Sequence, residues 1–126
     1  MLNVYVNCYR KKALIKDLQQ WLLHLIASKP QAVFIVAGDF NTHVQPIEHL
    51  HSLLDPRVPT WSRPRGSKTV QSRLGWLMVQ KGDLQHTTET QWYDCSDHCV
   101  IFSVIELPNS RPHATHIRLP NAPAAL

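Results

Sequence analysis

The first 37 residues combine a strand pattern, an amphipathic helix pattern and a second strand pattern. Residues 2–8 alternate in polarity and are rich in β-branched and aromatic side chains, which is typical of a strand. Residues 11–28 carry apolar side chains at three- and four-residue spacing and predict a helix that Pro30 stops. Residues 32–37 are continuously apolar and predict a buried strand. A strand, a helix and a second strand joined by short connections predict a layered α/β fold, with the helix packed on one face of a sheet.

The remaining segments are shorter. In chain order, the patterns predict a short helix at 47–54, a strand at 60–62, a turn or flexible loop at 63–67, a hairpin of strands 71–79 and 84–92 joined by 81–83, a last strand at 98–107 and a disordered tail at 108–126. The tail holds four of the nine prolines and lacks a periodic apolar pattern. Residues 1–107 are therefore expected to form one small domain.

Composition excludes several classes of protein. The chain has 126 residues, a net charge of +4 and no apolar run close to the roughly 20 residues that span a bilayer. We therefore expect a protein without a membrane partner that is intracellular, either nuclear or cytoplasmic. Cys95 and Cys99 flank His98, but Cys-x3-Cys without a second ligand pair favours small thiols over a zinc site.

Two polar motifs stand at the ends of predicted strands. Gly38-Asp39-Phe40-Asn41 follows the apolar run at 32–37, and Ser96-Asp97-His98 precedes the apolar run at 99–105. Aspartate, asparagine and histidine can together hold a phosphate, a hard metal ion and an attacking water, which is the chemistry of phosphoester cleavage. Each motif also has an ordinary structural interpretation, because Gly-Asp-x-Asn is good turn chemistry and Ser-Asp can simply begin a strand.

The two motifs and three further segments resemble the endonuclease/exonuclease/phosphatase superfamily. Asn3–Asn7 is similar to its N-x-Y-x-P strand, Thr60–Ser62 to its T-W segment and Ser72–Val79 to its S-R-L-D-W-L-x-V strand. The resemblance covers residues 1–107 and only the C-terminal half of the family domain. It implies an α/β fold that is a partial four-layered sandwich, mostly antiparallel sheet with flanking helices, whose N-terminal half is missing.

The resemblance also implies roles for the motif residues. Asp39 would position the attacking water, Asn41 and His98 would stabilise the pentavalent phosphorus, and Tyr5 would reach the phosphate. Asp97, with Asp39, would hold Mg²⁺ or Mn²⁺. From the residues alone, Tyr5 is equally well interpreted as a half-buried cross-strand tyrosine.

A basic block surrounds Trp61 and suits a polyanionic partner such as DNA. The residues expected to contact nucleic acid are Arg63, Arg65, Lys68, Arg73 and Trp61. A solvated basic loop is an equal alternative on charge alone, and tryptophan in a sheet is more often part of the core.

Two departures from the family pattern lower the expected activity. The family's glutamate metal ligand has no counterpart here, and Gly75 stands where the family has an aspartate paired to the histidine. We therefore expect His98 to be poorly oriented. Because half of the family domain is missing and one sheet face would be uncovered, we also expect the chain to be marginally stable or dimeric, and the sequence leaves the oligomeric state open. The function expected first is a fragment of a metal-dependent phosphodiesterase, closest to a retrotransposon-type DNA endonuclease, with low or no activity. The alternatives are a decayed, non-enzymatic remnant that binds nucleic acid weakly and a phosphatase for phosphoinositides or other phosphoesters.

Overall fold

The computed structural model describes residues 1–80 and 83–107. These residues form one α-helix, α1 (Lys11–Ser28), preceded by a single 3₁₀ turn at Cys8–Arg10. The strands are β1 (Leu2–Tyr5), β2 (Ile35–Asp39), β3 (His51–Ser52), β4 (Trp61–Arg65), β5 (Lys68–Ser72), β6 (Gly75–Val79), β7 (His86–Gln91) and β8 (Val100–Ile105). The described chain is therefore a sheet-rich α/β structure, which confirms the predicted class at this coarse level.

The central sheet has the strand order β1-β2-β6-β3. β1 and β2 are parallel because α1 returns the chain to the same end of the sheet, whereas β6 runs antiparallel to β2 and to β3. In this register Tyr5 lies beside Asp39, and Asp39 lies beside Gly75. Residues directly opposite each other in neighbouring strands share a face, so these three positions lie together at one end of the sheet.

Helix α1 covers one face of the central sheet. Leu22 is fully buried, and Ile15, Leu18 and Ile26 pack with it at the spacing that the sequence predicts. The buried members of this core are Val6, Leu22, Val36, Phe40, Ile47, Leu50, Trp76 and Met78. The predicted helix is confirmed, and burial of its apolar stripe is the main source of its stability.

The β7–β8 hairpin covers the opposite face. Ile35 and Ala37 of β2 and Leu77 of β6 pack with Ile101 and Ile105 of β8. A cavity of about 500 Å³ remains between these strands and extends to Asp39 and His98. The helix, the central sheet and the β7–β8 hairpin form three successive layers.

The β4–β5 hairpin joins the start of β8 rather than the central sheet. Trp61 and His98 form a single antiparallel bridge, the Cys99 amide donates to the Thr60 carbonyl at 2.9 Å, and the Ser62 amide donates to the Asp97 carbonyl at 2.8 Å. This contact fixes the Ser96–His98 segment against β4. The turn or flexible loop predicted at 63–67 is confirmed only at 66–67, the tip of the hairpin, because residues 63–65 belong to β4.

Three other local predictions need correction. The helix predicted at 47–54 is absent: the Gln45 side-chain amide donates to the carbonyls of Ile47 and Leu50, and a turn leads into β3. The strand predicted at 71–79 is two strands, β5 and β6, separated by Arg73 and Leu74. The hairpin predicted between 71–79 and 84–92 does not form, since β6 pairs with β2 and β3 while β7 pairs with β8.

Two predictions cannot be compared with the structure. The connection at 81–83 lies partly outside the described residues, and the tail at 108–126 lies wholly outside them.

Candidate active site

The Asp39–Asn41 turn ends β2 at the edge of the cavity. The Asn41 backbone is left-handed, with φ of 51°, and its amide donates to Asp39 Oδ1 at 2.9 Å. Asparagine tolerates this conformation better than most residues, which explains why it follows the strand here. The Asn41 side-chain amide donates to the Val6 carbonyl at 2.6 Å. The motif therefore forms an Asx turn, as its structural interpretation predicts. The second carboxylate oxygen, Asp39 Oδ2, takes no part in this turn.

His98 approaches Asp39 from the layer of β8. Its Nε2 atom lies 3.8 Å from Asp39 Oδ2 and 3.8 Å from Asp97 Oδ1. Two motifs far apart in the chain thus meet at neighbouring strand ends. Both distances exceed a hydrogen bond, so the three side chains form a loose cluster with room between them.

Asp97 is held by the β4 strand. Its Oδ2 atom accepts a hydrogen bond from Trp61 Nε1 at 3.2 Å, and Arg63 Nη2 lies 3.4 Å from the same oxygen. Arg63 also lies over the Trp61 ring, with 5.8 Å between its guanidinium carbon and the ring centroid. Trp61 and Arg63, expected to contact nucleic acid, therefore orient Asp97 as well. Because both side chains of the ion pair are substantially exposed, the pair adds little stability.

Tyr5 is placed beside the cluster by the parallel pairing of β1 and β2. It lies opposite Asp39, and it is 74% exposed. This exposure leaves its ring and hydroxyl accessible to a ligand at the cavity edge.

The expected nucleic-acid contacts divide into two groups. Arg63, Arg65 and Lys68 are exposed on the β4–β5 hairpin. Arg73 is only 4% exposed, and its guanidinium donates to the carbonyls of Gly75 and Asp55 at 2.6 Å each. The structure therefore places Arg73 in the interior, where it supports the loop at 52–58. Unlike the three exposed basic residues, its guanidinium is not accessible to nucleic acid.

Gly75 faces the same cavity as Asp39 and His98. A Cβ atom at this position would lie 3.3 Å from Thr60 Oγ1, which accepts hydrogen bonds from the amides of Leu74 and Gly75. No hydrogen bond to the His98 imidazole is present among residues 1–80 and 83–107, although the His98 amide bonds to Ser96 Oγ at 3.1 Å. A side chain at position 75 would therefore crowd the Thr60 hydroxyl on the cavity face of β6.

The donor set suits a hard cation better than zinc. Within the described ranges, no three histidine, cysteine, aspartate or glutamate side chains are arranged to hold a metal ion. Magnesium, however, is commonly held by one or two carboxylates together with water and substrate oxygens. Asp39 Oδ2 and Asp97 Oδ1, on either side of His98 Nε2, have that chemistry. Cys99 does not add a ligand to this set, because burial raises the pKa of its thiol and so disfavours the thiolate that binds metals.

Sequence reasoning missed Lys11. This first residue of α1 donates from Nζ to the Asn41 carbonyl at 2.9 Å and so secures the Asp39–Asn41 turn. The two residues are 30 positions apart, and no local pattern links them.

The fold and the cluster define a sheet-rich α/β protein with an aspartate–histidine site at the end of its central sheet. None of the described helices combines the length and the apolar character that crossing a membrane requires. Comparison of the chain with protein-family models, with curated proteins and with solved structures gives no match. The motifs and their geometry therefore carry the functional argument that follows.

Proposed function

We propose that this chain is a fragment of a metal-dependent phosphodiesterase, closest to a retrotransposon-type DNA endonuclease, with low or no activity as it stands. One observation carries the proposal: Asp39 Oδ2 and His98 Nε2 lie 3.8 Å apart, although they belong to different layers of the fold. A structural turn and a strand start have no need to meet in this way. A carboxylate and an imidazole close together at an open cavity edge are groups that can support general acid–base catalysis of phosphoester hydrolysis.

The side chains divide the chemistry as follows. Asp39 Oδ2, which is not used by the turn, would orient the attacking water and accept its proton. His98 would stabilise negative charge on the phosphorane, and Tyr5 would reach a phosphoryl oxygen. Asn41 would contribute the remaining hydrogen of its side-chain amide, since the other donates to Val6.

Asp39 and Asp97 are the residues that would hold magnesium or manganese. Such an ion would supply charge neutralisation at the phosphoryl oxygens. The Trp61 and Arg63 contacts leave Asp97 Oδ1 directed at the cluster while they occupy Oδ2. Arg63, Arg65 and Lys68 would contact the phosphate backbone from the hairpin beside the site.

We also propose that the fold of this chain is a partial four-layered sandwich. Its support is the outer face of β8, where Phe102 is 47% exposed and Val104 is 73% exposed. An apolar sheet face normally packs against another layer, and a helix in that place would complete a fourth layer.

Nicking of supercoiled plasmid in magnesium tests the proposal. We expect slow conversion to open circles by the wild-type chain and a rate at least about 10²-fold lower for His98→Ala, the usual cost of removing one group that stabilises charge in the transition state. His86→Ala is the matched control, because His86 is an exposed histidine of β7 that bonds only to Thr88 among the described residues. Equal loss in both variants, or no loss in either, would contradict the assignment.

The second candidate is a non-enzymatic remnant that binds nucleic acid weakly. The observation that favours it is the His98 imidazole, which lies beyond hydrogen-bonding distance of both carboxylates. Gly75→Asp separates the two candidates, because it adds a carboxylate to the cavity that His98 also lines, at the position where the family pattern has an aspartate. We expect at least a tenfold gain in nicking if the site is an impaired enzyme. A variant that binds DNA and still does not nick would favour the remnant.

A further inference from the structure

A second basic surface lies on α1, on the other side of the site from the β4–β5 hairpin. The first turns of α1 and the loop at 42–48 form a groove of about 420 Å³. Lys11, Lys12 and Lys16 line its helix side. The Gln19 side chain donates to the Pro46 carbonyl at 2.6 Å and closes the groove at its far end. We call these lysines and the loop the α1 groove.

The α1 groove is positively charged, and carboxylates of the chain neutralise little of this charge. Its lining contains three lysines and one carboxylate, Glu48, which gives a formal charge of 3 − 1 = +2. No salt bridge to these lysines is present in the described part of the chain, where the ion pairs involve Arg57, Arg63 and His98. Lys12 and Lys16 are exposed, so their ammonium groups are accessible to a ligand.

A continuous chain of contacts joins the α1 groove to the hairpin through the candidate site. Lys11 Nζ bonds to the Asn41 carbonyl, and the Asn41 amide bonds to Asp39 Oδ1. Asp39 faces His98 at 3.8 Å, and Asp97 beside it is paired with Arg63. Positive surfaces therefore lie at both ends of this chain, with the aspartate–histidine cluster between them. A polyanion that crosses the cluster would meet cations on both sides.

We propose that the α1 groove is a second binding surface for the phosphodiester backbone of nucleic acid, in which Lys12 and Lys16 each neutralise a phosphate. The shared chemistry is a row of phosphate oxyanions. A nucleic acid backbone, rather than an isolated phosphate, is the ligand because positive surfaces lie on both sides of the site, in the α1 groove and on the hairpin. This inference rests on the nucleic-acid partner of the proposed function and not on its chemistry. A chain that binds DNA without nicking it would retain this surface and lose the enzyme.

Fluorescence anisotropy of a labelled 20-base-pair DNA duplex, titrated with the full chain at several salt concentrations, tests the proposal. Each neutralised phosphate contributes about 0.9 to the slope of log K against log[salt]. We expect the slope to fall by about 2 in Lys12→Gln/Lys16→Gln and by about 1 in Lys16→Gln. When the salt concentration rises from 50 to 200 mM, the factor by which affinity falls should therefore be about tenfold smaller for the double variant than for the wild type. Lys29→Gln, an exposed lysine at the other end of α1, should leave the slope unchanged.

Three results would overturn the proposal. The first is a slope that is unchanged in the double variant while thermal melts show it folded. The second is no duplex binding by the wild type at 50 mM salt. The third is tighter binding of inositol hexakisphosphate than of the duplex, with both weakened by the double variant, which would assign the groove to a small polyphosphate. Lys12→Arg/Lys16→Arg keeps the charge and should restore the wild-type slope.

Discussion

Replacing Arg73 with methionine tests whether this residue holds the loop at 52–58 from inside the protein. The guanidinium donates to the carbonyls of Gly75 and Asp55 at 2.6 Å and of Val58 at 3.2 Å. It also lies over the Trp76 ring, with 4.3 Å between the guanidinium carbon and the ring centroid. Methionine retains most of the apolar contact with Trp76 and removes every hydrogen bond.

The expected loss of stability follows from those hydrogen bonds. Hydrogen bonds that involve a charged group contribute about 1.5 to 3 kcal/mol each to stability. Burial is unfavourable for this guanidinium and lowers its pKa from the ordinary value, so we take about 1 kcal/mol for each of the three shorter bonds. The sum is a loss of about 3 kcal/mol in the free energy of unfolding. For a domain of this size, that corresponds to a fall of about 10 to 15 °C in Tm.

Thermal melts followed by circular dichroism measure this loss. Arg57→Met is the control, because Arg57 is exposed and its side chain bonds only to Asp55 among the described residues. We expect this control to change Tm by no more than about 2 °C. A fall in Tm for Arg73→Met as small as that of the control would refute the interior role. So would a reduction of about 1 in the salt slope of DNA binding for Arg73→Met, because loss of the charge would then identify Arg73 as a phosphate contact.

Two further predictions concern packing at single positions. Gly38→Ala should prevent folding, because a Cβ atom there would lie 1.7 Å from the Val4 carbonyl oxygen at a φ of 152°. Gly66→Ala, at a φ of 65° with open space around it, should lower the free energy of unfolding measured in urea by only about 1 kcal/mol. Equal effects of the two variants would contradict the pairing of β1 with β2. The Cys99 thiol should react with a disulfide reagent more slowly than the exposed Cys8 thiol, because burial raises the pKa of Cys99 and keeps it protonated. Its reaction rate should also increase more steeply above pH 8. Equal rates for the two thiols, measured by mass spectrometry, would show that Cys99 is not shielded.

The long helix and its role in the core could be predicted from the sequence. The apolar stripe at residues 11–28 has one periodicity, and Pro30 ends it, so no competing structure fits the pattern. The loop at 47–54 shows the opposite case. Ile47, Leu50 and Leu54 have helical spacing and are all buried, yet Ile47 and Leu50 lie in a turn that the Gln45 side chain stabilises and Leu54 follows β3. Local periodicity cannot distinguish these outcomes, because a side chain outside the segment decides between them.

Strand pairing was harder to predict than strand position. β6 and β7 follow each other in sequence, yet β6 pairs with β2 and contributes to both apolar clusters, whereas the mostly polar β7 pairs with β8. The Asp39 and His98 motifs were recognised as polar ends of strands, and their approach depends on that non-local pairing. Arg73 and Lys11 show the limit of charge as a signal. One is buried on carbonyl groups and the other secures a turn, and neither contact has a signature in the sequence.

The central claim is that Asp39, Asn41, Asp97 and His98 form one site that binds a divalent cation and a phosphate. Titration of the ¹⁵N-labelled chain with Mn²⁺ tests it directly, because the ion broadens the NMR signals of nearby residues. The account predicts selective broadening of these four backbone amides at substoichiometric manganese, and loss of the effect in Asp39→Asn/Asp97→Asn. Broadening centred on another carboxylate such as Asp83, or no selective broadening at all, would contradict it.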